Sequence, residues 1–209
     1  MMHKKLGRGA FITIEGPEGC GKSTQIPHMV AWLKKRGYRV RSLREPGGTE
    51  LGENIRHVLL SSTHEDITTH AELFLFLAAR AQLVEQVILP ALKRGEVIVC
   101  DRYMDSTVVY QGIAGGLGRD FVERLCAWGA HGLRPDVSFF LDLPHKVGLK
   151  RTGRRDRMER KSFDFHKRVA DGYRKLARFH ARRVVVIDAR ADIKTVWQKM
   201  EEALESIFK

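Results

Sequence analysis

A glycine-rich stretch near the start of the chain has the residue types and spacing of a phosphate-binding loop. In "EGPEGCGKST", four residues separate Gly16 from Gly21, and Lys22 and Ser23 follow directly. Glycines allow backbone N–H groups to turn toward phosphate oxygens, and a following helix N-terminus adds positive potential. The lysine of such a loop contacts the β- and γ-phosphates of a nucleoside triphosphate, and the serine holds Mg²⁺. The predicted triphosphate site consists of Gly16, Pro17, Glu18, Gly19, Cys20, Gly21, Lys22, Ser23 and Thr24.

The elements that must position this loop alternate along the chain between strand-like and helix-like segments. Apolar or β-branched runs typical of short buried strands cover residues 10–15, 39–43, 96–101, 136–142 and 183–188. Segments with helical periodicity cover residues 22–36, 72–94, 120–132 and 193–207. Alternating strands and helices predict an α/β fold with a parallel sheet. We therefore expect the three-layer α/β/α sandwich of P-loop NTPases, with a five-stranded parallel sheet.

Length and composition indicate one soluble domain over residues 1–209, with a loose N-terminal tail at residues 1–9. No run of the sequence approaches the ~18 to 20 consecutive apolar residues that a membrane-spanning helix needs. The three cysteines, Cys20, Cys100 and Cys126, are odd in number and far apart, which argues against a disulfide framework or a zinc pair. We expect a cytoplasmic protein without a membrane partner.

The basic residues are distributed unevenly. The formal net charge is +12, and residues 150–183 contain fourteen Lys or Arg against four Asp or Glu, a balance of +10. The densest part is "RTGRRDRMERK", residues 151–161. Such a balance is expected for a protein that binds a polyanion, and equally for a site that holds several phosphates. Composition alone leaves both interpretations open.

Charged residues also occur at two informative places, namely the end of a predicted strand and the middle of an apolar helix. Asp101 and Arg102 follow the third predicted strand, and ligands of parallel sheets bind beyond the carboxyl ends of the strands. Arg80 lies in an otherwise apolar helix, where a charge is costly unless it is paired. Phe76 is one turn earlier on the same helix face. An aromatic ring beside a forked donor suits a pyrimidine base, although Phe76 alone would be read as a core residue.

Three further stretches narrow the reaction: "REPGGTELGENIR" (44–56), "FLFLAAR" (74–80) and "DRYMDSTVVYQG" (101–112). Together with the phosphate loop and the arginine-rich segment, and in this order, they make the chain resemble the thymidylate kinase family. The resemblance implies an enzyme that transfers the γ-phosphate of ATP to dTMP. The product is dTDP, which serves dTTP synthesis, and the implied cofactor is Mg²⁺.

The resemblance also implies roles for individual residues. Arg102 is expected to bind the dTMP phosphate, and Asp101 is expected to hold Mg²⁺ together with Ser23, mostly through water. Phe76 is expected to stack on thymine, and Arg80 to donate to its carbonyl edge. The other residues expected to contact dTMP are Glu18, Glu45, Arg56, Ser106, Thr107, Tyr110 and Gln111.

The interior of the phosphate loop, "PEGC" at residues 17–20, contains no arginine. Some members of the family carry a catalytic arginine in this loop, whereas others supply it from a mobile lid, and this chain resembles the second kind. The implied lid covers about residues 145–161. Its "DRME" at residues 156–159 matches the Asp-Arg-hydrophobic-Glu motif of the family.

Arg157 is therefore the first candidate for the catalytic lid arginine, beside Lys22 and Arg102, and Arg154 and Arg155 remain alternatives. Arg160 and Lys161 are expected to begin a solvated helix that follows the lid.

Two other functions compete with this prediction. One is a related kinase with a different acceptor, which the Phe76–Arg80 pair argues against. The other is a nucleic-acid-binding P-loop protein that uses residues 150–183 as its basic surface, which leaves Arg80 unexplained. Members of the resembled family are typically homodimers, and the apolar helix at residues 72–94 is the expected contact face.

Overall fold

The computed structural model describes residues 9–61, 67–152 and 156–208. Five strands form one sheet in the order β2-β3-β1-β4-β5, and every neighbouring pair is parallel. The strands are β1 (Phe11–Glu15), β2 (Val40–Arg44), β3 (Val97–Asp101), β4 (Val137–Asp142) and β5 (Val184–Asp188). The predicted five-stranded parallel α/β sheet is thereby confirmed.

Helices connect the strands. The α-helices are α1 (Lys22–Lys35), α2 (Glu50–Leu60), α3 (Thr69–Leu83), α4 (Leu89–Lys93), α5 (Met104–Thr107), α6 (Arg119–Gly129), α7 (His145–Thr152), α8 (Phe163–Phe179) and α9 (Ile193–Ile207). Two segments have the wider π-helical winding, namely π1 (Val84–Ile88) and π2 (Val108–Ala114). Helices α3, π1 and α4 follow one another without a loop, as do α5 and π2.

The sheet is covered on both faces, which explains the consecutive apolar residues of its central strands. On one face, Ile12 and Ile14 pack in a cluster with residues of α1 and α9. On the other face, Phe11 and Phe140 pack in a cluster with residues of α3, α6 and α8. The three cysteines are free thiols buried in these layers. The result is the expected three-layer sandwich.

The register of the sheet brings polar residues together at one edge. Ile14 of β1 pairs with Asp101 at the end of β3, and Glu15 pairs with Phe140 of β4. The phosphate loop, which leaves β1 after Glu15, therefore begins beside Asp101. This is the edge at which parallel sheets bind ligands.

Two helix predictions need correction. The predicted helix 72–94 begins at Thr69, capped by the Thr68 side chain, and changes to π-helical winding at Val84. The predicted solvated helix does not begin at Arg160 or Lys161. It begins at Phe163, where the Ser162 hydroxyl accepts from the backbone N–H of Phe165.

Helix α8 is also far from fully solvated. One face of it is buried against the sheet and π2, and this face carries Phe165, His166, Val169, Ala170, Gly172, Tyr173, Leu176 and Ala177. The basic residues between them made the segment look more solvated than it is, although the apolar spacing follows a helical period.

The stretch Thr69–Lys93 is long and apolar enough to cross a membrane by length and composition, and 33% of its most apolar window is buried. The core helix of a soluble protein passes the same test. Within this stretch the charged side chains of Glu72 and Arg80 are buried against protein partners, and α3 packs on α2 and α6. These contacts pack one face of the helix against the rest of the domain.

Some predictions fall at the limits of the described chain. Residues 1–8 of the predicted tail, and Arg154 and Arg155 of the predicted lid, lie outside the described residues. Gly9, the last residue assigned to the tail, is buried, and its N–H donates to the carbonyl oxygen of Leu92. The ordered domain therefore begins no later than Gly9.

Candidate active site

The phosphate loop turns through glycines with left-handed backbone angles. Gly16, Gly19 and Gly21 have φ angles of 145°, 67° and 97°, a region that glycine adopts without steric cost. A Cβ atom at Gly19 would lie 2.2 Å from the carbonyl oxygen of Gly148 in α7. The loop and α7 therefore touch through their backbones, and position 19 has no room for a side chain.

Lys22 folds back over the loop. Its side chain is buried, and Nζ lies 3.3 Å from the carbonyl oxygens of Gly16 and Pro17. Ser23, the next residue of α1, is exposed and faces the cavity beside the loop. This arrangement presents an ammonium group and a hydroxyl at the N-terminus of α1, as phosphate and Mg²⁺ binding require.

A cavity of about 760 Å³ extends from the phosphate loop to α3. Its walls bring together most of the residues singled out in the sequence: Glu18, Gly19, Cys20, Gly21, Lys22, Ser23, Thr24, Glu45, Arg56, Phe76, Arg80, Asp101, Arg102, Ser106, Thr107, Tyr110 and Gln111. Gly16, Pro17 and Arg157 are not among the residues that line it. The predicted triphosphate and acceptor sites thus share one cavity.

Arg102 also lines the cavity. Its backbone has a φ of 66°, and non-glycine residues held in this region cluster at functional sites. Nη1 donates to the Gly16 carbonyl at 2.9 Å and lies 3.1 Å from the Tyr173 hydroxyl. It also lies 3.2 Å from Ser106 Oγ, and Nη2 lies 3.3 Å from Glu18 Oε1. The guanidinium therefore bridges the phosphate loop, α5 and α8.

Glu15 lies beneath this arginine. Its carboxyl is fully buried, and Oε2 accepts a 2.6 Å hydrogen bond from the Ser106 hydroxyl. Oε1 has no hydrogen-bond partner within the described part of the chain. Burial, reinforced by the nearby charge of Asp105, raises the pKa of Glu15 to about 8. At neutral pH Glu15 is therefore mostly a neutral acid.

Glu18, three residues later, behaves in the opposite way. Burial by itself would raise its pKa, but the nearby His166 ring and the charge of Arg102 lower the pKa of Glu18 to about 2. Tyr110 also donates to Glu18 through its hydroxyl. The loop therefore holds an ionised carboxylate at the wall of the cavity.

At the far end of the cavity, Arg80 is 1% exposed and pairs with the buried Glu45. Nε and Nη2 donate to Glu45 Oε2 at 2.9 and 2.5 Å. Nη2 also donates to Thr107 Oγ1 at 2.8 Å, and Nη1 lies 3.3 Å from the Cys126 sulfur. Burial alone lowers the pKa of Arg80, but the Glu45 carboxylate raises it above its ordinary value. The charge that seemed costly in the sequence is thus paired, and Phe76 lies half-buried at the cavity wall beside it.

The π2 segment explains how two neighbouring residues both reach the cavity. Tyr110 and Gln111 are consecutive and buried, and both line the cavity. Short π-helical segments are rare and occur frequently at functional sites. The Gln111 amide also donates from Nε2 to Glu72 Oε1 at 2.7 Å. No local pattern in the sequence pointed to this winding or to Glu72.

The lid segment places its described arginines differently. Arg151, at the end of α7, lines the cavity and lies 3.3 Å from the Gly19 carbonyl oxygen. Arg157 instead donates from Nε to the Leu59 carbonyl at 2.8 Å and from Nη2 to Glu72. Lys161 also binds Glu72, so this partly exposed lysine is the ion-pair partner of a buried carboxylate and not simply a solvated helix residue.

Two residues of α8 reach the site and were missed in the sequence. Tyr173 contacts Arg102 and Ser106, and His166 Nδ1 lies 3.4 Å from Glu18 Oε2. Both lie on the buried stripe of α8. A helical stripe by itself indicates a core face, so a tyrosine and a histidine within it were the available signals.

The residues near the loop fit a Mg²⁺ ion bound with a nucleotide. Asp101 Oδ1 is buried and has no hydrogen-bond partner among the described residues, and Asp101 and Ser23 line the same cavity. An unpaired carboxylate oxygen and a hydroxyl are hard oxygen ligands of the kind that Mg²⁺ prefers, with phosphate oxygens and waters completing its shell.

A glycine-rich loop before a helix, a lysine folded over it and a second pocket in the same cavity define the class of a P-loop nucleotide kinase. A model of the thymidylate kinase family matches residues 14–200. The chain belongs to the thymidylate kinase family.

Individual relatives match over nearly their whole length. The thymidylate kinase of Thermoanaerobacter sp. (strain X514) is 44% identical over 191 residues, which cover 90% of this chain and 94% of that protein. The thymidylate kinase of Afipia carboxidovorans is 45% identical over 210 residues, covering 96% and 92%. The one from Caldanaerobacter subterraneus subsp. tengcongensis is 40% identical over 204 residues, covering 97% and 98%.

Proposed function

We propose that this enzyme transfers the γ-phosphate of ATP to dTMP, with the two nucleotides bound at opposite ends of the shared cavity. The continuity of that cavity carries the proposal. The phosphate loop, Arg102 and the Phe76–Arg80 pair all line this cavity, and Arg102 donates to the Gly16 carbonyl at the start of the loop. A monophosphate whose base enters the far pocket directs its phosphate toward the phosphate loop.

At the donor end, the backbone N–H groups of the loop and Lys22 hold the triphosphate. Ser23 and Asp101 hold Mg²⁺ mostly through water, and the ion supplies positive charge between the β- and γ-phosphates. Lys22 lies over the loop, with its Nζ on two carbonyl oxygens. A phosphate oxygen is a stronger acceptor than either of them.

At the acceptor end, Phe76 stacks on the thymine ring, and Arg80 donates to its carbonyl edge. Arginine has five N–H donors. Four hydrogen bonds of Arg80, two to Glu45, one to Thr107 and one to Cys126, occupy four of them. One Nη1–H is left for the base, at a position that the Glu45 pair holds in place.

The other acceptor residues surround the sugar and phosphate. Arg102 binds the dTMP phosphate, and Arg56, whose Nη1 donates to the Pro46 carbonyl at 3.0 Å, lines the same pocket. Tyr110 lies beneath the deoxyribose, and Glu18 lies near its 3′-hydroxyl. Ser106 and Thr107 hold Arg102 and Arg80 in place from beside the base.

The reaction needs no general base, because the second pKa of a phosphate monoester is about 6 and the acceptor is mostly anionic at neutral pH. The obstacle is repulsion between two anions that must meet in line. Catalysis therefore depends on positioning and on cations around the transferred group. Lys22 and Arg102 supply two of these charges from the rigid part of the site.

The remaining charge comes from the lid. The phosphate loop carries no arginine, and Arg157 is our first candidate, with Arg154 and Arg155 as alternatives. In this conformation the Arg157 guanidinium binds Glu72. Closure of the lid about residues 145–161 therefore has to exchange that carboxylate for phosphate oxygens if Arg157 is the catalytic residue.

We also propose a cytoplasmic homodimer. Phe74 on α3 is 62% exposed and Trp128 on α6 is 81% exposed, and these two helices pack together. Large aromatic side chains exposed on adjoining helices are typical of a protein interface. Sedimentation velocity is the measurement: the wild type should sediment as a dimer, and a wild-type monomer at micromolar concentration would contradict this proposal.

A coupled assay with ATP and the acceptors dTMP, dUMP, dCMP, AMP and GMP tests the function. We expect dTMP to have the highest kcat/KM, and phosphoryl transfer to exceed ATP hydrolysis without acceptor. A preference for a purine monophosphate would overturn the assignment of the Phe76–Arg80 pocket to thymine.

A further inference from the structure

Glu72 has an environment that the mechanism above does not use. It lies on α3 one turn before Phe76 and two turns before Arg80, so the three side chains share one face of the helix. Its side chain is completely buried. Lys161 Nζ lies 3.1 and 3.2 Å from its two oxygens, and Arg157 Nη2 lies 2.5 Å from Oε2.

These contacts determine which atoms donate and which accept. Lysine and arginine have donors but no acceptor, so both oxygens of Glu72 accept hydrogen bonds from these two side chains. The Gln111 group within 2.7 Å of Oε1 must then be the NH₂ end of the amide. A carbonyl oxygen placed there would face a carboxylate oxygen at the same distance.

Glu72 therefore fixes the orientation of the Gln111 amide. Gln111 is 1% exposed and lines the cavity together with Phe76 and Arg80. With Nε2 held toward Glu72, the amide oxygen Oε1 is the acceptor available to a base in that pocket. A flipped amide would present its NH₂ donor to the base instead of its oxygen acceptor. The Glu72 carboxylate therefore determines which hydrogen-bonding edge of a base Gln111 can bind.

We propose that Glu72 is a positioning residue for base specificity, which holds the Gln111 amide so that its oxygen accepts the N3–H of thymine. The inference rests on the proposed binding of dTMP in this pocket. Thymine and uracil present an N–H at N3, whereas cytosine presents an acceptor at N3 and faces the amide oxygen with a lone pair. The fixed Gln111 amide therefore selects against cytosine. This selection adds to that made by the N–H donor of Arg80.

The same carboxylate connects the base pocket to the lid. Arg157 and Lys161 follow the lid helix α7 in the chain, and both end on Glu72, beneath the base site. Lys161 contacts both carboxylate oxygens, so Glu72 keeps a cationic partner if Arg157 moves to the phosphates. The amide orientation therefore survives lid closure.

The experiment compares kcat/KM for dTMP, dUMP and dCMP in the wild type and in Glu72→Gln. The variant keeps the shape of the side chain but offers either a donor or an acceptor, so Gln111 is free to flip. We expect the dTMP:dCMP ratio to fall about tenfold, the effect of one hydrogen bond between neutral groups. The dTMP:dUMP ratio should stay within twofold, because both bases share the N3–H edge.

The Gln111→Leu background shows whether Glu72 acts through the amide. In Gln111→Leu, adding Glu72→Gln should change the dTMP:dCMP ratio by less than twofold. Glu85→Gln is the matched control, since Glu85 is an exposed carboxylate further along the same helical stretch. The dTMP:dCMP ratio of this variant should equal that of the wild type. An equal loss of kcat/KM for all three acceptors in Glu72→Gln would indicate a structural role and overturn the proposal.

Gln111→Leu by itself keeps the proposal testable if Glu72→Gln does not fold. It should lower the dTMP:dCMP ratio to the level expected for Glu72→Gln, and an unchanged ratio would overturn the proposal. Failure of the proposed function looks different, because the wild type itself would then not prefer dTMP among the acceptors.

Discussion

The two ends of the cavity treat charge in different ways. At the base end, Arg80 is paired with Glu45, and Glu72 is paired with Lys161 and Arg157. At the phosphate end, Arg102 pairs with Glu18, but Lys22 and Arg151 donate to backbone carbonyl oxygens. Lys22 contacts those of Gly16 and Pro17, and Arg151 contacts that of Gly19.

The difference teaches how one cavity combines specificity with catalysis. Paired charges at the base end are satisfied before the ligand arrives, so that end is ordered and reads the shape and hydrogen-bonding edge of the base. Cations that hold only carbonyl oxygens gain strongly when phosphate oxygens replace them. The base end therefore should matter most for stability, and the phosphate end most for turnover.

Breaking the base end should cause the largest change in stability. Arg80→Leu leaves the Glu45 carboxylate buried without its partner, which costs about 3–5 kcal/mol for pairs of this kind. Urea unfolding monitored by circular dichroism measures the loss. The double variant Arg80→Leu/Glu45→Leu should regain most of it, because no buried charge is left. If the single and double variants were equally stable, the pairing argument would fail.

Removing the proposed lid arginine should lower turnover, with a smaller loss of stability than Arg80→Leu because Lys161 remains paired with Glu72. For Arg157→Ala we expect kcat to fall about 10³-fold, the lower end for an arginine that stabilises phosphoryl transfer, while nucleotide KM values change far less. Steady-state assays with both substrates near saturation measure this. Near-wild-type kcat would move the catalytic role to Arg154 or Arg155 and leave Arg157 as an anchor of Glu72.

Glu15, the last residue of β1, makes the stability of the phosphate end depend on pH. Because the pKa of Glu15 is raised from 4.5 to about 8 in the folded protein, its contribution to stability is complete below about pH 4.5. That contribution is lost as the pH rises through about 8, by up to about 1.4 kcal/mol per pH unit.

Glu15→Gln should remove this dependence, so the variant gains stability relative to the wild type between pH 5 and pH 8. Denaturant unfolding at several pH values checks the sign. Glu202→Gln, on the exposed face of α9, should follow the wild-type curve. A stability difference between Glu15→Gln and the wild type that does not vary with pH would show that Glu15 is ionised in the folded protein.

Much of the fold and part of the candidate site were predictable because their signals are local. The phosphate loop is a contiguous motif, and the strands are contiguous apolar runs. Arg80 was singled out by a charge in an apolar helix. Its partner Glu45 was implied only as a pocket residue, since a separation of 35 positions along the chain leaves no pattern in the sequence.

The parts that were missed depend on packing between distant segments. Glu72 was overlooked because a glutamate in the first turn of a helix is ordinarily a favourable end-of-helix charge. Its partners Arg157 and Lys161 lie 85 and 89 residues away. Lys161 was read as solvated for the same reason, because a basic run shows its charge but not the buried carboxylate that binds it.

The burial of all three cysteines gives the molecule a practical property. Thiol-reactive dyes attach to accessible thiolates, so we expect little background labelling of the native protein. Cysteines introduced at exposed positions of two helices, such as Lys150→Cys on α7 and Val58→Cys on α2, would be the sites that label. A fluorophore pair at these positions would report the distance between the lid and the body of the enzyme, one molecule and one turnover at a time.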